Sequence, residues 1–228
     1  MTLATLYNLP SQLDWLNTLD PDNRLLRGRA YQIVKRILDL GLVTTAIILL
    51  SPVLLMCAIA IKIESPNGPA MFAQTRTGKG GRSFKMYKFR TMVAEAEELK
   101  KQLSHLNELQ WPDFKITNDP RITRVGRFLR KTSLDELPQL LNILLGDMSI
   151  VGPRPTSFSA STYQLWHTER LDVMPGLTGL WQIVGRASTE FDERLRLDIA
   201  YIERRCITLD FEIMFRTITA VVQQRGAA

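Results

Sequence analysis

The chain has few of the residues from which covalent or metal-based scaffolds are built. Its 228 residues include two cysteines, Cys57 and Cys206, and two histidines, His105 and His167. Two cysteines exclude a disulfide-rich scaffold and a cysteine-built zinc site, and two histidines exclude a histidine-rich metal centre. Disorder is also excluded, because 45% of the residues are hydrophobic and 23% are charged. A chain of this length forms one domain or two small ones.

Acidic residues are fewer than basic ones. The 29 lysines and arginines outnumber the 23 aspartates and glutamates, so the net charge is +6 at pH 7. This excess predicts an anionic partner, and three kinds fit it: nucleic acid, phosphorylated small molecules and an anionic membrane surface.

Charged residues are absent from Leu40 to Ile61. As a straight helix this segment would be about 33 Å long, which is enough to cross the hydrocarbon core of a bilayer. It begins about forty residues into the chain and no A-x-A-like site precedes it, so it is not read as a secretory signal. We predict that residues 30–64 enter a membrane, that residues 1–29 form a short peripheral extension, and that residues 65–228 form a compact domain.

Pro52 lies near the middle of the apolar segment. It removes one backbone donor, leaves the carbonyl of Ile48 without its helical partner and kinks a helix. The neighbouring hydroxyl of Ser51 can bond to the freed backbone. Basic residues flank both ends of the segment, whereas a spanning helix disfavours them on its outer side. The residues alone leave two arrangements open, a bent hairpin that enters and leaves by one face and a kinked spanning helix.

Asp39 lies at the start of the segment, three residues after Arg36. Side chains at this spacing are neighbours on a helix. We therefore predict an ion pair between Arg36 and Asp39 at the level of the lipid headgroups.

Short strands, turns and amphipathic helices follow the apolar segment. Strand-like pieces at 71–72 and 84–89 flank a hairpin-like turn at 78–81. Helical patterns cover residues 93–110, 137–145, 189–204 and 211–222. Such helices either pack against the rest of the domain or lie in the membrane interface. The predicted fold class is therefore α+β and mainly helical.

Two rows of basic residues stand out. The first has six cations and no acid: Arg76, Lys79, Arg82, Lys85, Lys88 and Arg90. It can bind anionic lipid headgroups, at about 1 kcal/mol per charge, or a pyrophosphate, and a solvated basic face explains it as well. The second row consists of Arg121, Arg124, Arg127, Arg130 and Lys131, and it runs into two adjacent acids, Asp135 and Glu136.

The acids Asp135 and Glu136 have two interpretations. Ser133 and Glu136 match the S-x-x-E capping box ahead of an amphipathic helix, which makes Glu136 a cap and Asp135 a first-turn acid. A helix N-terminus also lowers the pKa of a carboxyl group and keeps it ionised. An ionised aspartate suits a phosphoryl-transfer nucleophile or a magnesium ligand. Further along, Arg154 lies in a stiff Gly-Pro-Arg-Pro loop, where it either binds a phosphate or is solvated in a rigid turn.

Four motifs in order after an apolar segment resemble the bacterial sugar transferases, the monotopic polyprenyl-phosphate hexose-1-phosphate transferases. They are KFRTM at 88–92, RKTSLDELPQ at 130–139, VGPRP at 151–155 and PGLTG at 175–179. Each motif alone is weak, but the ordered combination is highly specific. The resemblance extends from about residue 30 to near the end of the chain.

The resemblance implies an enzyme on the cytoplasmic face of the bacterial inner membrane. It would transfer a sugar-1-phosphate from a UDP-sugar to undecaprenyl phosphate and release UMP, as the first step of exopolysaccharide or other glycoconjugate assembly. A hexose such as glucose or galactose is the sugar we favour. The implied partners are these two substrates and membrane lipids, without nucleic acid, and an oligomer is compatible with the family.

The resemblance also assigns roles to residues. It implies Mg²⁺ as cofactor and a ping-pong reaction in which Asp135 carries the phosphosugar and binds the metal, with Glu136 as the second catalytic acid. Arg130 and Arg154 are implied to bind phosphate, and we add Lys88 and Arg90 from the first basic row. Ser51 and Pro52 match the break of a re-entrant helix, which decides in favour of the hairpin.

Two features depart from the family pattern. About 29 residues precede the core, where many relatives carry spanning helices and a further domain. Residues 203–208 (ERRCIT) replace an expected Asn-Trp-Ser type of segment. Two other classes of protein fit parts of the sequence, a membrane-tethered basic adaptor and a bitopic signalling protein. An adaptor leaves Asp135 and Glu136 unexplained, and the chain has little of the aromatic interleaving that base stacking needs. The two basic flanks disfavour a bitopic protein.

Overall fold

The computed structural model of the chain describes residues 15–16, 26–108, 116–157, 165–184 and 191–222. Its helices are α1 (Gly28–Glu64), α2 (Ala96–Gln102), α3 (Arg124–Lys131), α4 (Gln139–Leu145), α5 (Leu180–Val184), α6 (Phe191–Arg204) and α7 (Ile207–Val222). Its strands are β1 (Met71–Thr77), β2 (Ser83–Phe89), β3 (Ser149–Val151) and β4 (Gly176–Thr178), and 3₁₀ turns occupy Lys79–Gly81, Ser104–Leu106, Leu134–Glu136 and Leu165–Asp172. The mainly helical prediction is confirmed. Most of the predicted extension, residues 1–29, lies outside the described residues.

Helix α1 continues through Pro52 rather than ending there. The hydroxyl of Ser51 donates a hydrogen bond to the carbonyl oxygen of Ile48 at 2.8 Å, and this is the carbonyl that Pro52 leaves without an amide donor. The local consequence predicted for the Ser-Pro pair is therefore present. The predicted break between two helices is not present, because α1 is one continuous helix from Gly28 to Glu64. A re-entrant path through a membrane stays a prediction.

One face of α1 packs against the domain along most of its length. Val43 belongs to a buried cluster with Ile143 and Met148, and Cys57 and Ile61 belong to a second one with Phe89 and Leu129. The opposite face is apolar and exposed, as at Ile48, Leu49, Leu55, Met56, Ile59 and Ile63. Leu49, for example, is 72% exposed. Among the described residues α1 is the one helix long and apolar enough to cross a membrane, by length and composition.

Polar contacts attach the first turns of α1 to the domain, and they correct one prediction. Asp39 accepts hydrogen bonds from the Ser149 hydroxyl at 2.7 Å and from the backbone amide of Ile150 at 3.3 Å. Arg36 donates instead to the carbonyl oxygens at the end of α4, including that of Ile143 at 2.6 Å. The expected pair of Arg36 with Asp39 is therefore wrong. In the folded domain, Arg36 binds the end of α4 and Asp39 binds β3, so the two side chains do not pair with each other.

Helix α7 is joined to the same end of α1 through Asp210. The Asp210 carboxylate accepts hydrogen bonds from the hydroxyls of Tyr31 and Tyr201 and from the ammonium group of Lys35, each between 2.7 and 2.9 Å. These contacts join α1, α6 and α7 at one buried carboxylate. A third buried cluster lies here and includes Leu16, which is fully buried, so this part of the predicted peripheral extension packs into the core.

The β1–β2 hairpin has the predicted strands and turn. Its antiparallel register runs from Met71 opposite Phe89 to Thr77 opposite Ser83. Gly80 in the turn has a φ of 65°, a conformation that glycine adopts without the steric cost of a side chain. Lys88 lies near the end of β2, and Arg90 directly follows its last residue, Phe89.

The parallel pairing of β3 with β4 was not foreseen from the sequence. Ser149 lies opposite Gly176, and Val151 lies opposite Thr178. A Cβ atom on Gly152 would lie 2.4 Å from the carbonyl oxygen of Met174, and one on Gly176 would lie 2.1 Å from the backbone nitrogen of Gly152. Only glycine fits such distances. The VGPRP and PGLTG motifs are therefore two sides of one close backbone contact.

Candidate active site

The two acids lie in a 3₁₀ turn, Leu134–Glu136, between α3 and α4. Ser133 precedes the turn in the left-handed region with a φ of 58° and makes no side-chain capping bond, and α4 begins only at Gln139. The predicted capping box is therefore wrong. Pro138 supplies a helical φ at the start of α4 and needs no capping partner for an amide, which leaves the Glu136 side chain available for other contacts.

Glu136 is held between two cations. Its carboxylate accepts a hydrogen bond from the Lys88 ammonium group at 2.8 Å and is bound by both terminal nitrogens of Arg154, with Nη1 at 3.2 Å from Oε2. Burial alone would raise the pKa of Glu136, but the charges of Arg154 and Lys88 and their hydrogen bonds hold it below its ordinary value. Glu136 is therefore ionised at neutral pH and fixes the positions of both cations.

Asp135 is placed differently from its neighbour. None of the described residues donates a hydrogen bond to its carboxylate, although the charges of Lys88, Arg130 and Arg154 act on it. Burial raises the pKa of Asp135, and Lys88 opposes this shift. The prediction that a helix N-terminus lowers this pKa is therefore wrong, because the residue sits in a three-residue turn. Asp135 is thus a half-buried carboxylate close to three cations, and it accepts no hydrogen bond from the side chains or amides of the described residues.

Lys88 reaches Glu136 because β2 is fixed against α4. The side chain of Asn142, which is fully buried, acts like an additional strand: its carbonyl oxygen accepts from the Tyr87 amide at 2.9 Å, and its amide nitrogen donates to the Lys85 carbonyl at 2.7 Å. Sequence analysis missed Asn142. The signal was available, since it is a polar residue within the leucine-rich face of a predicted helix.

Arg130 approaches from the end of α3. Its Nε donates to the Thr91 hydroxyl at 2.9 Å, and its charge acts on Asp135. Gly126 allows α3 to lie directly against Thr91 in the segment that follows β2, because a Cβ atom on Gly126 would be 2.0 Å from the Thr91 carbonyl oxygen. The structure thus brings together five residues that the sequence singled out: Asp135 with Arg130, Glu136 with Arg154, and Lys88, which contacts Glu136 and acts on Asp135.

Arg90 is not brought to this cluster by its contacts. Its guanidinium donates to the carbonyl oxygens of Ser65 and Asn67 in the turn that follows α1. Gly68 makes room for it, because a Cβ atom there would lie 2.2 Å from Arg90 Nη1. Arg90 thus holds the end of the apolar helix against the hairpin, and the phosphate-binding role stays a prediction.

The carboxylates suit a magnesium ion that is shared with a substrate. No group of three metal-ligating side chains occurs among the described residues, and Glu136 is occupied by Lys88 and Arg154. Asp135 is the carboxylate that remains available. Magnesium commonly binds one or two carboxylates, keeps several waters and takes its other ligands from substrate phosphates, so the donor set at Asp135 fits the ion.

The arrangement can perform phosphoryl transfer. When ionised, a carboxylate such as Asp135 can serve as a nucleophile, and the positive charges of Lys88, Arg130 and Arg154 act on it. Such cations offset the repulsion between a carboxylate and a phosphate and stabilise charge in the transition state.

Comparison with known proteins agrees with the geometry. The family model described as "Bacterial sugar transferase" matches residues 30–224. The chain is 44% identical over 205 residues to "Galactosyl transferase CpsE" of Streptococcus agalactiae, and the matched region covers 87% of this chain and 44% of that protein. It is 42% identical over 207 residues to "Undecaprenyl-phosphate galactose phosphotransferase" of Salmonella typhimurium, covering 89% and 43%.

A third relative is similar over most of both chains. "UDP-glucose:undecaprenyl-phosphate glucose-1-phosphate transferase" of Caulobacter vibrioides is 42% identical over 223 residues, covering 93% of this chain and 78% of that protein. The chain therefore spans less than half of the first two relatives and more than three quarters of the third. The match to the family model extends through α1, the hairpin, both acids and the paired glycine loops. The chain belongs to the bacterial sugar transferase family.

Proposed function

We propose that this protein transfers a sugar-1-phosphate from a UDP-sugar to undecaprenyl phosphate and releases UMP. The observation that carries the proposal is the division of labour between two adjacent carboxylates, with Glu136 bound by two cations and Asp135 left uncommitted. The relatives' names support the substrates, since two of them specify undecaprenyl phosphate and one specifies a UDP-sugar. We place the reaction at the start of exopolysaccharide or other glycoconjugate assembly.

In the first step Asp135 attacks the phosphorus atom that bears the sugar. A bond forms between a carboxylate oxygen and this phosphorus, the bond to the bridging oxygen breaks, and the electron pair leaves with that oxygen on UMP. Lys88, Arg130 and Arg154 offset the negative charge of the pyrophosphate during the attack. Magnesium, when bound at Asp135, supplies further positive charge to the pyrophosphate and its leaving oxygen.

In the second step a phosphate oxygen of undecaprenyl phosphate attacks the same phosphorus, and the bond to Asp135 breaks. The carboxylate is restored and the sugar leaves on the lipid as a diphosphate. Dividing the transfer in this way lets one small site serve two anionic substrates in turn. Glu136 takes no covalent part and keeps Lys88 and Arg154 in place through both steps.

A lipid substrate requires a site at the membrane surface. We propose that α1 enters the cytoplasmic leaflet of the bacterial inner membrane and bends at Ser51-Pro52, so that both ends stay on the cytoplasmic side. The exposed apolar face of α1 supports this, and so do exposed apolar residues on α3, α4 and α7, namely Phe128, Leu145, Phe211, Phe215 and Ile218. Such helices would lie in the interface plane and hold the acids near the lipid phosphate.

The function is tested by incubating the purified protein with Mg²⁺, undecaprenyl phosphate and UDP-sugars labelled in the sugar and the β-phosphate. We expect labelled lipid and stoichiometric UMP with at least one donor, and UDP-glucose and UDP-galactose are the first to try. A membrane-tethered adaptor, which the two acids disfavour, would bind acidic lipid and yield no labelled product with any donor.

The topology proposal predicts that both chain ends are cytoplasmic. Single cysteines introduced at residues 5 and 226, in a Cys57→Ser, Cys206→Ser background, should both resist a membrane-impermeant thiol reagent in intact cells and both react after lysis. Both positions lie outside the described residues, so they serve as reporters only. Pro52→Ala restores an amide donor to the helix and should shift some molecules to a spanning state. Reaction of one end alone in the unaltered helix would contradict the hairpin.

Arg154→Ala should slow the transfer by two to three orders of magnitude, on the order of 2–4 kcal/mol of transition-state stabilisation. The variant removes a charge beside Asp135 and one of the two cations that hold Glu136. Arg154→Lys should restore part of the rate, because lysine keeps the charge without the planar fork. Arg130→Ala should behave similarly. Arg127→Ala is the matched control, since Arg127 is exposed on α3, and a comparable loss there would refute a local role.

A further inference from the structure

The main chain of Arg154 is held by a buried ion pair outside the cluster of acids and cations. Arg170, in the turn Leu165–Asp172, is 7% exposed, and Asp198 on α6 is 2% exposed. One guanidinium nitrogen of Arg170, Nη2, lies 2.7 Å from the Asp198 carboxylate and 2.6 Å from the carbonyl oxygen of Arg154. A continuous series of contacts therefore runs from Asp198 through Arg170 and Arg154 to Glu136.

Two other carbonyls of this loop accept hydrogen bonds from backbone amides. The Pro153 carbonyl accepts from the Gly176 amide at 2.8 Å, and the Thr156 carbonyl accepts from the Thr77 amide at 3.0 Å. The Arg154 carbonyl between them is bound by a charged side chain instead. Prolines on both sides of Arg154 limit the main-chain conformations of the loop. The carbonyl group is bonded to the Cα atom of Arg154, so a donor that fixes this carbonyl also helps to fix the direction in which the Arg154 side chain leaves the main chain.

Folding alone gives little reason for this arrangement. Removing two charges from water is costly, and a buried ion pair is often no more stabilising than apolar residues of the same size. The cost is evident at Asp198, whose pKa burial raises to about 6 against the charges of Arg170 and Arg194. An apolar pair would fill the same space, but it would leave the Arg154 carbonyl without a donor.

We propose that the Asp198–Arg170 pair is a positioning device for the reaction, which orients the Arg154 main chain so that its guanidinium meets Glu136 and the donor pyrophosphate. The proposal rests on the function proposed above. Asp198 holds Arg170, and Arg170 holds Arg154, and neither touches the reacting atoms. A misplacement of a catalytic group by about 1 Å can cost about 10²-fold in rate, so Arg170→Gln should slow formation of the aspartyl adduct by up to about that factor.

A double-mutant cycle tests whether Arg170 acts through Arg154. The rate of adduct formation is measured in a single turnover for Arg170→Gln, Arg154→Ala and the double variant. We expect the double variant to be as slow as Arg154→Ala alone, because a positioning residue has nothing left to position. Multiplication of the two losses would overturn the proposal. Asp198→Asn, which keeps an acceptor for Arg170, is the milder second variant if Arg170→Gln does not fold, and it should show the same lack of additivity.

Lys35→Gln is the matched control. Lys35 also forms an ion pair with a buried aspartate, Asp210, at 2.9 Å, and within the described residues neither of the two has a hydrogen bond to Arg154 or Arg170. It should lower stability without coupling to Arg154, so that its small effect on the rate multiplies with that of Arg154→Ala. Coupling of the same size in this control would show a general loss of structure and would overturn the proposal.

A second measurement does not depend on activity. The Arg154 side chain is 27% exposed and is accessible to an arginine-specific dicarbonyl reagent. In Arg170→Gln the loosened side chain should be modified several-fold faster than in the unaltered protein, as followed by peptide mass spectrometry, and in Lys35→Gln it should not. An unchanged rate of modification overturns the positioning role even in an active enzyme. Faster modification in a protein that transfers no sugar-phosphate supports the role and refutes the proposed function alone.

Discussion

Asp135→Asn is expected to abolish transfer and leave the fold intact. An amide does not attack phosphorus and binds magnesium poorly. Stability should be kept or slightly raised, because burial raises the pKa of Asp135 and the folded protein therefore disfavours its charge. Thermal unfolding and a transfer assay of the same preparation measure the two effects separately.

The unaltered protein should also accumulate a covalent intermediate. Given a UDP-sugar without the lipid acceptor, it should gain the mass of one phosphosugar on a peptide that contains Asp135, and Asp135→Asn should gain none. Intact-protein and peptide mass spectrometry after a brief quench would detect it. An adduct on Glu136, or transfer by Asp135→Asn at a rate near that of the unaltered protein, would refute the assignment of the nucleophile.

Glu136→Gln should impair both catalysis and stability. The amide keeps the shape of the side chain but leaves Lys88 and Arg154 without their shared anion, which should cost on the order of 1–3 kcal/mol of folding stability. Transfer should fall by at least as much as in Arg154→Ala, since both cations lose their anchor.

Glu136→Gln should also change the pH dependence of adduct formation. Glu136 is one of the charges that raise the pKa of Asp135, so its removal should lower that pKa and move the acid limb of adduct formation to lower pH. Glu64→Gln is the control: Glu64 accepts two backbone amides at the start of α3 and lies outside the cluster. An acid limb that stays in place in Glu136→Gln would contradict the electrostatic coupling of the two acids.

Much of the chemistry could be predicted from short stretches of sequence. The apolar segment and its proline, the hairpin around Gly80 and the adjacent acids are all local features. The hydrogen bond from Ser51 to Ile48 follows from the missing amide of Pro52, and the structure has it. The motif order was enough to name the family, because each motif has a fixed place in one fold.

Predictions failed where a side chain had a local partner within reach and a distant one that the fold supplies. Asp39 was assigned to Arg36 but binds β3. One of the two interpretations of Glu136 was a capping box with Ser133, but Glu136 binds Lys88 and Arg154. In each case burial strengthens the distant contact, whereas the local one would have remained exposed to water and weak.

By itself the sequence determined which segments are apolar, where the backbone must turn, and which residues carry the charges and acids of the site, since these depend on residue type and spacing alone. Only the tertiary structure decided how those residues are used. It committed Glu136 to two cations, left Asp135 without a hydrogen bond from the described residues, and recruited Asn142, Arg170 and Asp198 to hold the cations in place. The reason is physical: pKa values and ion pairs depend on burial and on distances between residues far apart in the chain, and no local pattern contains these quantities.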